Sequence, residues 1–142
     1  MSQTPKKYLD YNGLTVFCEK IKELFNTNKQ SIESVNSYLT FLKSSSTNET
    51  SLNNINVNTR LHVVNISSNQ NLHLNGTIQK GYDVHIIVKN ISNGLLTVNM
   101  PTNESSSILI CESVYDIEPN KFLEINVISD GVNSYYRVGE QG

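Results

Sequence analysis

Residues 61–100 read LHVVNISSNQ NLHLNGTIQK GYDVHIIVKN ISNGLLTVNM, and apolar and polar side chains alternate through them. Leu61 and Val63, Leu72 and Leu74, Val84, Ile86 and Val88, and Leu96 and Val98 each sit two positions apart. A period of two places successive side chains on opposite faces of an extended chain, so the segment reads as β-structure. Continuing in both directions from residue 59, candidate strands fall at 61–66, 72–74, 77–79, 84–91, 95–100, 107–111, 122–128 and 135–138. Asn75-Gly76, Asn93-Gly94 and Asp130-Gly131 punctuate them, and such pairs tolerate the positive φ of tight hairpin turns. Short strands, tight turns and no helical period predict a mostly antiparallel β-sandwich or jelly-roll-like head over 59–142. Its core should hold Leu61, Val63, Leu72, Leu74, Val84, Ile86, Val88, Leu96, Val98, Ile108, Ile110, Leu123, Ile125, Val127 and Tyr136.

Upstream the period changes. Leu14, Phe17, Ile21 and Leu24 recur at three and four, followed one step out of phase by Phe25, Ile32, Val35, Leu39 and Leu42. This is helical spacing, with Asp10 or Asn12 placed to cap the first turn. The phase break at Leu24-Phe25, with Asn-Thr-Asn after it, reads as a three-residue stammer in one helix or a turn between two. Two helices are the expectation. Phe25, Ile32 and Leu39 fit one heptad seam position, and Asn28, Val35 and Leu42 the other. A seam of 18 residues spans about 27 Å, too short to be stable alone in water, so copies of the chain or the head must bury it. Self-association is the expectation, with polar Asn28 fixing the register. Residues 44–58, SSSTNETSLNNINVN, lack periodicity and read as a linker between the helical arm, 1–43, and the head. The fold class is therefore α+β.

The chain's 142 residues bound it to one compact domain, or a domain plus an arm. Asn, Ser and Thr make up about a third of it, Ala and Trp are absent, and 11 basic residues face 13 acidic ones. Lacking a clustered basic face, the chain is not expected to bind nucleic acid. No apolar run reaches membrane or signal-peptide length, so neither a membrane partner nor secretion is expected, and the N-x-[ST] triplets read as chance. Cys18 and Cys111 are too few for a disulfide framework and read as reduced core thiols.

Little here points to catalysis. His62, His73 and His85 lack metal-ligand spacing, and the alternation around them predicts that each points outward. Glu112, Asp116 and Glu118 lie in ESVYDIEP, which lacks the EF-hand pattern and reads as a solvated loop. No nucleophile elbow or phosphate-cradling glycine loop occurs, so no enzyme, cofactor or metal is expected. Tyr82, Tyr115 and Tyr135 are candidate platforms for a sugar ring. Tyr135 and its neighbour Tyr136 must face opposite sides of their strand.

Residues 7–25, KYLDYNGLTVFCEKIKELF, resemble an N-terminal stretch of virion appendage proteins of tailed bacteriophages, particularly gut phages infecting Bacteroidetes and Firmicutes. The form is K-Y-L-D-x-x-G-L, then an aromatic and K-I-K, matched by Tyr8, Leu9, Asp10, Gly13, Leu14, Phe17, Lys20, Ile21 and Lys22. The resemblance implies a non-enzymatic structural protein of the virion, assembled in the host cytoplasm, with a head fibre or capsid-decorating protein fitting the length best. It further implies that Tyr8, Leu9, Leu14, Phe17, Ile21, Leu24 and Phe25 anchor the chain on a capsid or other virion protein. Asn28, Ile32, Val35, Leu39 and Leu42 would join copies, with a homotrimer expected first and a dimer second. The alternative is a sugar-binding β module or tail-fibre component that contacts glycans.

Overall fold

The computed structural model describes residues 11–142, which form one helix followed by eleven strands, an α+β chain. Contacts divide the chain into two compact units, one ending at Thr40 and one from Phe41 onward. Helix α1, Tyr11–Leu42, runs unbroken for 32 residues, about 48 Å, so the expected turn between two helices does not form. The reason lies in its geometry. At about 100° per residue, Leu24 and Phe25 fall at the two edges of one apolar stripe about 100° wide, which contains every residue of both runs. On a straight helix there is no phase break. Asn12 lies inside the helix and is not its cap, whereas Asp10 lies outside the described residues.

In the second unit the strands are β1 (Ser45–Glu49), β2 (Ile55–Asn56), β3 (Leu61–Ile66), β4 (Gln70–Asn71), β5 (Leu74–Asn75) and β6 (Asp83–Asn90). They continue as β7 (Leu96–Asn99), β8 (Ser107–Leu109), β9 (Val114–Ile117), β10 (Phe122–Ser129) and β11 (Ser134–Gln141). A six-stranded sheet has the order β1-β3-β6-β10-β11-β8, beside a three-stranded sheet β4-β7-β9 and a pair β2-β5. The pairing is mixed and not mostly antiparallel. β1 with β3, β3 with β6, β2 with β5, β4 with β7 and β11 with β8 are parallel. Only β6 with β10, β10 with β11 and β7 with β9 are antiparallel.

Three of the five parallel pairs have a simple origin: the chain takes the path β2-β3-β4 and repeats it as β5-β6-β7, each strand lying on its counterpart. Asn75-Gly76 and Asn93-Gly94 are corners of that path and not hairpins. Gly76 adopts φ +107°, and a Cβ there would lie 3.1 Å from Cγ2 of Val57 on the preceding turn, so both backbone and packing demand glycine. Only Asp130-Gly131 closes a true hairpin, β10 to β11, with Gly131 at φ +96°.

Residues 44–58 are not a linker. They supply β1 and β2, and Leu52, Ile55 and Val57 are core residues, the first two fully buried. Ser44 ties the end of α1 to the sheet. Its Oγ donates to the Phe41 carbonyl and accepts from the Arg60 amide, while its carbonyl accepts from Leu61. Phe41 is buried against Tyr82, their ring centroids 4.6 Å apart.

Eleven of the fifteen expected core residues are buried. The exceptions share a cause, strand phase. Val64 and Ile66 face inward on β3, which turns Leu61 and Val63 to the opposite face and draws His62 inside. On edge strand β8, Leu109 faces the core and leaves Ile108 exposed, with Ile110 exposed just past its end.

Candidate functional site

Two surfaces combine exposed apolar or aromatic groups with an ordered scaffold, one in each unit. On α1, Leu14, Phe17, Ile21, Leu24, Phe25, Ile32, Val35 and Leu39 are all exposed, from 37% for Ile21 to 70% for Phe25. Asn28, also exposed, interrupts the stripe near its middle. Counting from Leu14 to Leu42 through Leu24 and Asn28, the steps are 3, 4, 3, 4, 4, 3, 4 and 3. The single extra four-residue step is a stutter, which locally relaxes a left-handed supercoil. Leu42, expected on the oligomer seam, packs instead against the core beside Phe41, because the helix ends within the second unit. Tyr8 and Leu9 lie outside the described residues. Cys18, expected in a core, is exposed on the helix. Cys111 is half-buried, and burial raises its thiol pKa above the usual range.

The three histidines do not meet, and among the described residues no three His, Cys, Asp or Glu side chains converge. His62, expected to point outward, is fully buried. Its Nδ1 lies 2.8 Å from Glu49 Oε1, and its Nε2 lies 3.0 Å from the carbonyls of Asn56 and Thr59. His73 is exposed and pairs with Glu104. His85 lies on the outer face of the large sheet, its Nε2 3.1 Å from Glu124 Oε1 and its Nδ1 hydrogen-bonded to Asn126 Oδ1. ESVYDIEP is not a solvated loop throughout, because residues 114–117 form β9 against β7 and Ile117 is fully buried. Thr97 donates to Asp116 across that pairing, at 2.8 Å.

The three tyrosines are equally dispersed. Tyr82, ahead of β6, is packed on Phe41 and offers no open ring face on that side. The Tyr115 hydroxyl, on β9, accepts from the Glu112 amide at 3.0 Å. Tyr135, on β11, faces the outside of the six-stranded sheet while Tyr136 is buried, as the alternation requires. Burial pushes the Tyr136 phenol up to about 12. The Tyr135 hydroxyl donates to Asp130 Oδ2 at 2.8 Å, which fixes the ring and raises its own pKa.

Tyr135 borders a groove of about 620 Å³ on this outer face, lined with Asp83, Ile110, Asn126, Ile128, Arg137 and Gly139. Sequence reading missed it, because it is assembled across three strands by register. Ile128 lies opposite Tyr135, and Asn126 opposite Arg137. No family model matches the chain, and no curated protein or solved structure is significantly similar to it. No helix among the described residues is long and apolar enough to cross a membrane.

Proposed function

We propose that the chain is a non-enzymatic structural protein of a phage virion, a head fibre or capsid-decorating protein, that assembles through α1. The observation that carries this reading is the apolar stripe along the unbroken helix α1, interrupted only at Asn28, whose eight large side chains are exposed in a single chain. An exposed row of this length on an otherwise mostly polar helix demands a covering surface. Its narrow width and three-four spacing fit the seam of a helical bundle, so from Asn28 onward the covering surface is other copies of the same helix, with a trimer preferred. Burying each such side chain contributes about 1.5–3 kcal/mol before the cost of ordering. The N-terminal part of the stripe, Leu14 to Phe25, together with Tyr8 and Leu9, is assigned to anchoring on another virion protein. The resemblance of residues 7–25 to virion appendage proteins supports that assignment. We read the second unit as a sandwich-like head, supported by the inward alternation of β6 and β10.

Mass spectrometry of purified virions, with gold labelling of the head unit, tests the proposal. The chain is expected as a multi-copy component located on the capsid. Its absence from virions would refute the assignment.

A further inference from the structure

The groove on the outer face of the six-stranded sheet has a chemistry that the structural role of α1 does not use. Its walls alternate by strand register. One row crossing the strands carries Asp83, Ile128 and Tyr135, and the next carries His85, Asn126 and Arg137. Residues two apart on a strand lie about 7 Å from one another, close to the span of a pyranose ring and its exocyclic group. The first row offers the exposed Ile128 and the ring of Tyr135, held in place through Asp130, while Ile110 adds an apolar edge at 62% exposure.

The polar side chains of both rows have partners at every position but one. Arg60 forks onto Asp83 with contacts of 3.1 and 3.0 Å, which compensates that carboxylate. Glu124 faces His85, and Asn126 Oδ1 accepts from the same ring, which turns the Asn126 amide nitrogen away from it. Arg137 is exposed, with no ion-pair partner among the described residues, so the groove presents an unopposed guanidinium. Gly139 keeps the floor open. A Cβ there would lie 3.4 Å from Asn126 Nδ2 and 3.6 Å from the Glu124 carboxyl carbon.

We propose that this groove binds a carboxylate-bearing saccharide. The apolar face of a sugar ring stacks on Tyr135 between Ile110 and Ile128, its carboxylate takes the fork of Arg137, and a hydroxyl accepts from the Asn126 amide. A planar guanidinium beside an aromatic platform matches an acidic sugar better than a neutral one, because the paired donors find a bidentate acceptor only there. This site stands on the second unit alone and does not rest on the virion assignment.

Titration of the full chain with 3′-sialyllactose, trigalacturonate and neutral lactose, followed by amide NMR and calorimetry, tests the proposal. At least one acidic saccharide should bind saturably, with shifts at Tyr135, Arg137 and Asn126, and lactose should bind about tenfold more weakly or worse. Arg137→Gln should weaken the acidic sugar by about tenfold or more. Tyr135→Ala should abolish binding, and Tyr135→Phe should retain it. The proposal is overturned if neither acidic sugar gives saturable shifts, or if Arg137→Gln leaves the affinity unchanged. A change in molar mass on Arg137→Gln would also overturn it, since another copy of the chain would then occupy the groove.

Discussion

His62 shows how a single side chain can reverse a strand's expected phase. A polar residue between Leu61 and Val63 reads as the solvent side of a strand, yet here the imidazole is the buried group. The local alternation of apolar residues is ambiguous at Val63-Val64, where two adjacent valines permit either phase, and distant partners resolve it. Glu49 on β1 and two carbonyls from 56 and 59 supply acceptors to both ring nitrogens. Residues 44–58 read as linker, so Glu49 and Asn56 were invisible as partners in the sequence. The other carboxylate oxygen of Glu49 is buried and has no partner among the described residues. Removing the ring would leave further polar groups unpaired and a cavity behind them. His62→Ala should therefore cost about 3 kcal/mol, read from the denaturant midpoint, and an unchanged midpoint would contradict the structural role assigned to the ring. Asp130 is a smaller device on the surface. Amides of Asn133 and Val132 donate to its Oδ1 at 2.7 and 2.8 Å, and with the Tyr135 hydroxyl they hold its carboxyl at about 2, against an ordinary 3.8. A lowered acid pKa means that the unfolded chain binds more protons between these values. The turn's contribution is complete above pH 3.8 and is lost as pH falls toward 2. Carboxyl-carbon NMR should place the Asp130 midpoint near 2, and a midpoint at 3.8 would show that the turn's hydrogen bonds do not form.

At the scale of elements, α1 was legible in its residues and misread in its continuity. Heptad bookkeeping separates Leu24 from Phe25, whereas the 3.6-residue turn of a straight helix places both on one stripe. Asn26, Thr27 and Asn28, which read as a turn, are accommodated on the helix, where the Thr27 hydroxyl donates to the Glu23 carbonyl. Strands β6 and β10 were also plain in the sequence, because Val84, Ile86 and Val88, and Leu123, Ile125 and Val127, each hold one phase through the strand. Strand β9 was masked by Asp116 and the flanking Glu112 and Glu118, all exposed, while Ile117 enters the core. Since Ile32 and Val35 are exposed at 60% and 58%, charge there acts on association and not on the head. Ile32→Asp with Val35→Asp should convert the oligomer to a 16.0 kDa monomer while the β-sheet circular dichroism stays unchanged. Loss of the β signal would show that these side chains stabilise the head instead.

Across the whole molecule, the sheet content could be read and its connectivity could not. Parallel pairing joins Ile55 to Leu74, Leu61 to His85 and Gln70 to Val98, separations of 19, 24 and 28 residues. With the interval changing at each side of the turn, no fixed repeat appears in the sequence, and the Asn-Gly corners mimic hairpin signals. Of the groove residues on β10 and β11 only Tyr135 stood out in the sequence, and the convergence of the others on it depends on register that only the folded sheet defines. Assembly by contrast depends on one feature, the uncovered stripe of α1, and it has a physical readout. Light scattering coupled to size exclusion, on the full chain at micromolar concentration, reports its molar mass without assumption about shape. Self-association through α1 predicts a particle of three times the 16.0 kDa chain mass, with twice that mass still consistent with a helical seam. A stable 16.0 kDa species would contradict it.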